Sequence, residues 1–160
     1  MPTLVAGKTY GTVRADLRKQ MSGLEFVRGL ADGTLPLNMI ARTLGYDVVA
    51  AQKGRVLVAV EPSEDHLNPA GTVHGGLAAT LLDSCMGLAV QSTLDKGFAQ
   101  TTVEFKISLM RPIMPQTGRI TAEGRVLNCG RRVGTAEGRL TDGDGRLLAH
   151  GTTTCLIFAA

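Results

Sequence analysis

Residues 75–94 form the segment that most limits what this chain can fold into. The segment carries one charged side chain, Asp83, among Leu, Ala, Val, Met and small polar residues. Its length and composition favour a helix, and its apolar residues lie nearly all the way round that helix, as expected for a helix buried on most sides. A membrane span needs about 20 predominantly apolar residues, and the central acid together with the Ser, Thr and Gly residues argues against one. The rest of the fold must therefore surround this helix.

The segments on either side of this helix predict β-strands. Residues 46–52 and 55–60 flank a Lys53-Gly54 turn, which is typical of a hairpin. Further strands are predicted over residues 101–110, 118–127, 132–140 and 146–158, and in the first of these Val103, Phe105, Ile107 and Leu109 are predicted to share one half-buried face. An α+β fold in which one antiparallel sheet wraps around the central helix satisfies this order.

An additional helix is predicted before the strands. Apolar residues recur at helical spacing over residues 14–31, before the breaker-rich residues 32–36. We therefore expect an N-terminal helical extension over residues 1–36 and one main domain over residues 37–160. A chain of 160 residues has the size of a single domain.

Composition excludes several classes of protein. The three cysteines, Cys85, Cys129 and Cys155, are odd in number and form no CxxC pair, which argues against a disulfide framework or a zinc cage. Residues Met1–Lys8 show no sustained apolar run after a basic start, so we predict no secretory signal and a cytoplasmic protein. The net charge is +3, but the basic residues are dispersed, and nucleic-acid binding is not predicted.

Asp83 is the first candidate for chemistry, because an ionised carboxylate in an apolar helix is costly unless it is paired or solvated. A glycine-rich turn over residues 68–76 leads directly into the same helix. Its adjacent glycines let a ligand approach the N–H groups that the first helical turn leaves unpaired, and the helix dipole there suits a developing oxyanion. The alternatives are a structural acid and an ordinary turn.

The spacing of His74 and Asp83 predicts a site shared between subunits. The two residues are nine positions apart, so on a helix they lie on nearly opposite sides and about 13 Å apart along the axis. One subunit can hardly bring both to one substrate. A homo-oligomer is the natural solution, and a single six-stranded sheet would also expose a strand edge.

The string from His74 to Asp83, with Asn68 before it and residues 101–105 after it, resembles the PaaI-like hotdog thioesterases of the 4-hydroxybenzoyl-CoA thioesterase type. The resemblance covers roughly residues 40–158. It implies the hotdog fold, an acyl-CoA substrate, and a homodimer or a dimer of dimers. It also implies hydrolysis without a metal or another cofactor, which agrees with the chemistry of an activated acyl group.

The same resemblance implies the roles of individual residues. Asp83 matches the acid that activates water or attacks the thioester carbonyl itself, and Thr102 matches a hydroxyl residue beside it. From the partner subunit, the N–H of Gly75 would hold the thioester oxygen, while His74 and Asn68 would position the carbonyl and the water.

Three further residues are predicted to bind substrate. Gly76 belongs to the turn that approaches the ligand. Arg131 and Arg132 follow a tight turn where the phosphates of coenzyme A could bind, since a guanidinium matches phosphate geometry; a solvated turn is the alternative. Cys85 lies near Asp83, but we interpret it as a packing residue.

Two other functions remain open at this point. An acyl-thioester dehydratase would need a His general base paired with an acid in a different local motif, whereas His74 here leads into two glycines. A non-catalytic acyl-CoA sensor would be expected to carry a DNA-binding module. The acyl group itself is not identified, and arylacetyl, hydroxybenzoyl and medium-chain groups are all compatible with the sequence.

Overall fold

The computed structural model describes residues 6–160. Residues 1–5 lie outside the described residues. They belong to the predicted extension and make up most of the Met1–Lys8 stretch, in which no secretory signal is predicted. The chain then forms helices α1 (Ala15–Lys19), α2 (Gly23–Asp32) and α3 (Met39–Leu44), strands β1 (Asp47–Gln52) and β2 (Arg55–Val60), helix α4 (Gly75–Gln91), and strands β3 (Phe98–Leu109), β4 (Ile120–Cys129), β5 (Val133–Thr141) and β6 (Leu147–Ala159).

The six strands form one antiparallel sheet with the order β1-β2-β4-β5-β6-β3. The long helix α4 packs on one face of this sheet, and nine of its residues are buried. This arrangement confirms the predicted sheet around a central helix. Within residues 6–160 no helix is both long and apolar enough to cross a membrane.

Helix α4 approaches the sheet closely along a row of three glycines. Gly124, Gly138 and Gly151 lie on β4, β5 and β6 and pair with one another across these strands. A Cβ atom at Gly124 would overlap the backbone carbonyl of Cys85, and one at Gly138 would lie 2.9 Å from the Cγ atom of Met86. At Gly124 the helix backbone therefore lies directly on β4, and at Gly138 the missing side chain makes room for those of Leu82 and Met86. We call Gly124, Gly138 and Gly151 the glycine row.

The N-terminal extension is helical, as predicted, but it forms two helices instead of one. The break falls before Ser22, which caps α2: its hydroxyl accepts from the N–H of Glu25, and the Glu25 carboxylate accepts from the N–H of Ser22. This reciprocal capping box satisfies N–H groups that a new helix would otherwise leave unpaired. The short helix α3, capped by Asn38, was not predicted.

Lys8 binds the extension to the sheet. Its ammonium group donates to the carbonyl oxygens of Leu30 and Ala31, each at 2.6 Å, at the last turn of α2, and it lies 3.1 Å from the Asp47 carboxylate at the start of β1. A cation at the carboxyl end of a helix is stabilising. Val27 of α2 is completely buried in the main core. The extension therefore packs as part of the folded body.

The glycine row predicts a sharp difference between two alanine substitutions. Gly124→Ala should lower the free energy of unfolding by about 1–3 kcal/mol, because the added methyl group must push α4 away from β4. Gly143→Ala is the control, since its Cβ would meet no atom within 4 Å. Urea unfolding of both variants measures the difference, and equal stabilities would contradict the close packing.

Candidate active site

Asp83 and Thr102 are brought together at the centre of the molecule. Asp83 is half-buried in the middle of α4, and the Thr102 hydroxyl of β3 donates to its Oδ1 atom at 2.9 Å. Within residues 6–160 no cation forms an ion pair with Asp83. The carboxylate is thus oriented by a hydroxyl group and is not neutralised by a buried Lys or Arg.

A β-bulge at Val103 directs Thr102 toward the helix. Thr102 pairs with Cys155, and Phe105 pairs with Thr153, with a register shift between Thr102 and Glu104. Residues that pair across two strands face the same side of the sheet, and Cys155 and Thr153 share a face because they are two positions apart on β6. Their partners Thr102 and Phe105 therefore also share that face, although they are three positions apart. The predicted common face therefore holds for Phe105 and the alternating residues after it, and it breaks at Val103.

A cavity of about 360 Å³ opens beside this carboxylate. Asp83 and Thr102 line one side of it. The lining also includes apolar residues of the N-terminal extension and the segment after it, among them Val13, Phe26 and Leu30, and one cation, Arg18. A volume near the lower end of the range for ligand pockets, which is about 300–1,000 Å³, suits a small acyl group.

The glycine-rich turn forms the N-terminal cap of α4. The Nδ1 atom of His74 accepts from the N–H of Gly76 at 2.8 Å. A Cβ atom at Gly76 would lie 2.8 Å from that same nitrogen, so the second glycine makes room for the histidine cap. The N–H of Gly75, the first residue of the helix, has no hydrogen-bond acceptor within the described part of the chain. It is available to a ligand.

Asn68 organises the loop that precedes this cap. Its Nδ2 group donates to the Thr72 hydroxyl at 2.8 Å, and its Oδ1 atom accepts from the N–H of Ala70 at 2.9 Å and from that of Thr72 at 3.3 Å. Nearby, the ring of His66 is buried and bonds to Ser63 and to the carbonyl of Leu44. Both side chains hold the loop in place.

One chain keeps these two groups of residues apart. Asp83 follows Gly75 by eight positions of α4, which corresponds to about 12 Å along the axis. Neither His74 nor any other residue of the glycine-rich turn lines the cavity beside Asp83. Of the predicted site residues, the structure therefore brings Asp83 and Thr102 together and leaves Asn68, His74, Gly75 and Gly76 at the amino end of the helix.

The two predicted arginines lie at the opposite end of α4. Arg131 lines a groove of about 610 Å³ together with Lys53 and Phe98. Arg132 is exposed, and its backbone carbonyl accepts from the N–H of Ile157. Within residues 6–160 neither guanidinium forms an ion pair, so both charges are available to an anion.

The sequence reasoning missed the contribution of the extension and of Gln100 to the cavity. Gln100 could have been found from strand alternation, since it lies two positions before Thr102 and shares its face. No comparable pattern in the sequence indicates that the extension lines the cavity. Cys85 is completely buried, as its interpretation as a packing residue requires, and burial raises the pKa of its thiol well above the usual range.

Comparison with known proteins identifies the family. A family model described as the thioesterase superfamily matches residues 70–149. Human acyl-coenzyme A thioesterase 13 is 34% identical over 116 residues, which make up 71% of this chain and 81% of that protein.

Two solved structures agree in fold. A phenylacetic acid degradation-related protein of Ralstonia eutropha has a TM-score of 0.73 and 29% identity, over 82% of this chain and 98% of that one. A Streptococcus mutans protein, solved bound to acetyl CoA, has a TM-score of 0.65 and 29% identity, over 71% of this chain and 89% of that one. The predicted fold and family are confirmed, and this chain belongs to the thioesterase superfamily, with the hotdog fold of these hydrolases.

Proposed function

We propose that this chain hydrolyses the CoA thioester of a small aryl or medium-chain acyl group to the free acid and CoA. The observation that carries the proposal is the half-buried carboxylate of Asp83, held by Thr102 at the wall of an acyl-sized cavity. The name of the human relative, an acyl-CoA thioesterase, supports the substrate class. The Ralstonia relative, named for phenylacetic acid degradation, supports a place in the PaaI-like subtype.

Asp83 acts on the thioester carbonyl by one of two routes. As a general base it removes a proton from a water molecule, which attacks the carbonyl carbon. As a nucleophile it attacks that carbon itself and forms an anhydride, which water then opens. Both routes break the carbon–sulfur bond and release the free acid and the CoA thiol. The hydrogen bond from Thr102 engages Oδ1, which leaves Oδ2 free to react.

The oxyanion is held by the amino end of α4 from a second copy of the chain. There the N–H of Gly75 is unpaired within the described residues, and the helix dipole favours negative charge. The Nδ1 atom of His74 already accepts from Gly76, so the neutral ring carries its proton on Nε2. That Nε2–H is the second donor to the thioester oxygen, and Asn68 shapes the loop from which both donors project.

The second copy binds along strand β3. This strand is an edge of the sheet, and Val103, Phe105 and Leu109 on it are 57%, 41% and 56% exposed. An edge strand with exposed apolar residues is a template for pairing with another strand. Pairing of β3 with its copy forms the dimer. A second apolar cluster on β4, β5 and β6, formed by Leu127, Val133, Leu156 and Phe158, offers the contact for a dimer of dimers.

Coenzyme A binds with its nucleotide at the groove of Arg131, Lys53 and Phe98. The two cations attract the phosphates, and the exposed aromatic ring offers a stacking surface for the adenine. The CoA is part of the substrate, and the hydrolysis uses no further cofactor. Three free cysteines suit the reducing conditions of the cytoplasm, where we place this reaction.

The role of Asp83 predicts a loss of turnover without a loss of folding. Asp83→Asn keeps the shape of the side chain but removes the reacting charge, so kcat should fall by about 100-fold or more. Asp144→Asn, in an exposed turn, is the control and should keep full activity. Thermal unfolding is measured on the same samples. A fully active Asp83→Asn protein would reject the assignment, and an inactive protein that also loses about 1–3 kcal/mol of stability would favour a structural role of the hydrogen bond between Thr102 and Asp83 instead.

The oxyanion donor predicts a difference between two substitutions at one position. Gly75→Pro removes the N–H at a position where proline is well tolerated, the first residue of a helix, and kcat should fall by about 100-fold or more. Gly75→Ala retains the N–H and is the matched control, since its Cβ meets the same side-chain carbon of Leu109. Equal activities of the two variants would argue against the donor.

A mixed dimer tests whether the site is shared. Asp83→Asn and Gly75→Pro subunits carrying different tags are co-expressed, and the doubly tagged dimer is purified. A site built from two copies gives one intact site per mixed dimer and restores about half of the wild-type activity. Light scattering measures the oligomeric state of each sample. A mixed dimer that recovers no activity, or a monomer that is active, would contradict the shared site.

The nucleotide groove predicts a change in affinity alone. Replacing Arg131 and Arg132 together by Ala should raise KM for acyl-CoA and weaken its dependence on ionic strength, while kcat stays nearly constant, because the phosphates lie far from the scissile bond. Steady-state kinetics at low and high salt measure both effects. An unchanged KM would indicate that the two arginines are solvated turn residues that do not bind the substrate.

A further inference from the structure

We propose that Thr153 is a positioning residue for the reaction: its buried hydroxyl holds the β-bulge of β3 in place and so keeps Thr102 in line with Asp83. Thr153 acts through Thr102, without contact to a reacting atom. The inference rests on the proposed function, since it assumes that the Asp83 carboxylate oriented by Thr102 is the reacting group.

Thr153 is a polar residue on a face that is otherwise apolar. It is the only buried threonine within residues 6–160, with 2% of its surface exposed. Gly151 and Cys155 lie on either side of it on the face of β6 that packs toward α4. A valine of the same shape would fill this space without a hydroxyl, and an unpaired buried hydroxyl is destabilising. The presence of the hydroxyl therefore requires an explanation.

The Thr153 hydroxyl binds the backbone of β3 at the bulge. Its Oγ1 atom donates to the carbonyl oxygen of Glu104 at 2.9 Å. Glu104 is the residue directly after the bulged Val103, where the register between β3 and β6 shifts. On the other side of the bulge, Thr102 pairs with Cys155, which lies two positions after Thr153 on β6. The hydrogen bond therefore fixes the end of the bulge opposite to Thr102.

Strand β3 depends on β6 for its register. It is an edge strand, and within residues 6–160 β6 is its only neighbour in the sheet. A shift of one residue in strand pairing turns side chains to the other face, and a bulge directs the side chains beside it. A bulge displaced by one residue toward the start of β3 would place Val103 opposite Cys155. Asp83 would then lose the hydrogen bond from Thr102, at 2.9 Å, that orients its carboxylate.

The thiol of Cys155 provides a second connection between Thr153 and Thr102. Burial raises the pKa of this thiol, and its hydrogen-bond interactions with the Thr102 and Thr153 hydroxyls oppose that rise in part. Adjacent polar contacts therefore link Thr153 to Thr102 and, through its hydroxyl, to the Asp83 carboxylate. A change at Thr153 can reach Asp83 through these side chains as well as through the strand backbone.

A double-mutant cycle tests whether Thr153 acts through Thr102. The substrate is phenylacetyl-CoA or octanoyl-CoA, whichever the wild type hydrolyses faster. Thr153→Val removes the hydroxyl and should lower kcat by about tenfold or more with KM nearly constant, because a small displacement of a reacting group strongly reduces turnover. Thr153→Ser retains the hydroxyl and should keep kcat within about twofold of the wild type. Adding Thr153→Val to Thr102→Val should lower kcat no further, and fully additive losses would overturn the inference.

Thr154→Val is the matched control. It removes a hydroxyl that donates to the Oε1 atom of Glu104 at 2.6 Å on the outer face of the sheet, but it leaves the backbone hydrogen bond at the bulge intact. Its kcat should stay within about twofold of the wild type. Circular dichroism at the assay temperature measures folding, and Thr153→Ala replaces Thr153→Val if the latter does not fold. An unchanged kcat in either folded variant would overturn the inference.

Crystal structures of the variants separate this inference from the proposed function. In Thr153→Val the distance from the Thr102 Oγ1 atom to the Asp83 Oδ1 atom should exceed about 3.5 Å, whereas in Thr153→Ser it should stay near 2.9 Å. That outcome supports the role of Thr153 even if the wild type hydrolyses no acyl-CoA, in which case only the proposed function fails. Wild-type hydrolysis together with an unchanged distance and kcat in Thr153→Val would overturn the role of Thr153 and retain the hydrolase.

Discussion

The direct contact between α4 and the glycine row is the interaction on which the rest of the structure depends. Gly124 lets the helix backbone rest on β4, while Gly138 and Gly151 on the next two strands leave room for the Met86 side chain of the helix. Side chains at these positions would hold the helix further from the sheet. At the observed depth the Thr102 hydroxyl reaches the Asp83 carboxylate. The pair of Asp83 and Thr102 therefore owes its geometry to residues that carry no side chains.

Much of the fold could be predicted because hydrophobic patterning reflects burial. The central helix was evident from its apolar composition, and the strands from alternation and turn residues. The patterning was less informative on β3, where Phe105 and Leu109 alternate as in a half-buried strand yet remain exposed. Such alternation is typical of a strand with one buried face, but residues 6–160 leave Phe105 and Leu109 largely uncovered. The break before Ser22 is marked in the sequence by the Ser-x-x-Glu spacing of a capping box.

The candidate site was predictable only in part, for physical reasons that differ between residues. Asp83 could be singled out because a lone charge in an apolar helix requires an explanation. Thr102 came from the family resemblance, since the bulge at Val103 that turns it toward α4 leaves no mark in the residue pattern. The cavity wall was invisible in the sequence, because the position of α2 depends on long-range contacts such as those of Lys8 with Leu30 and Asp47.

The cavity joins two stretches of chain that are far apart in sequence. The groups assigned to bond cleavage in the proposed function fall between residues 68 and 102, whereas most of the apolar lining of the cavity comes from residues between 13 and 48. Under the proposed function, substitutions in the earlier stretch reshape the cavity without displacing Asp83, Thr102 or the glycine-rich turn. The proposed function thus assigns the shape of the acyl cavity and the cleavage of the thioester to separate parts of the chain, so that one part can change in evolution while the other is kept.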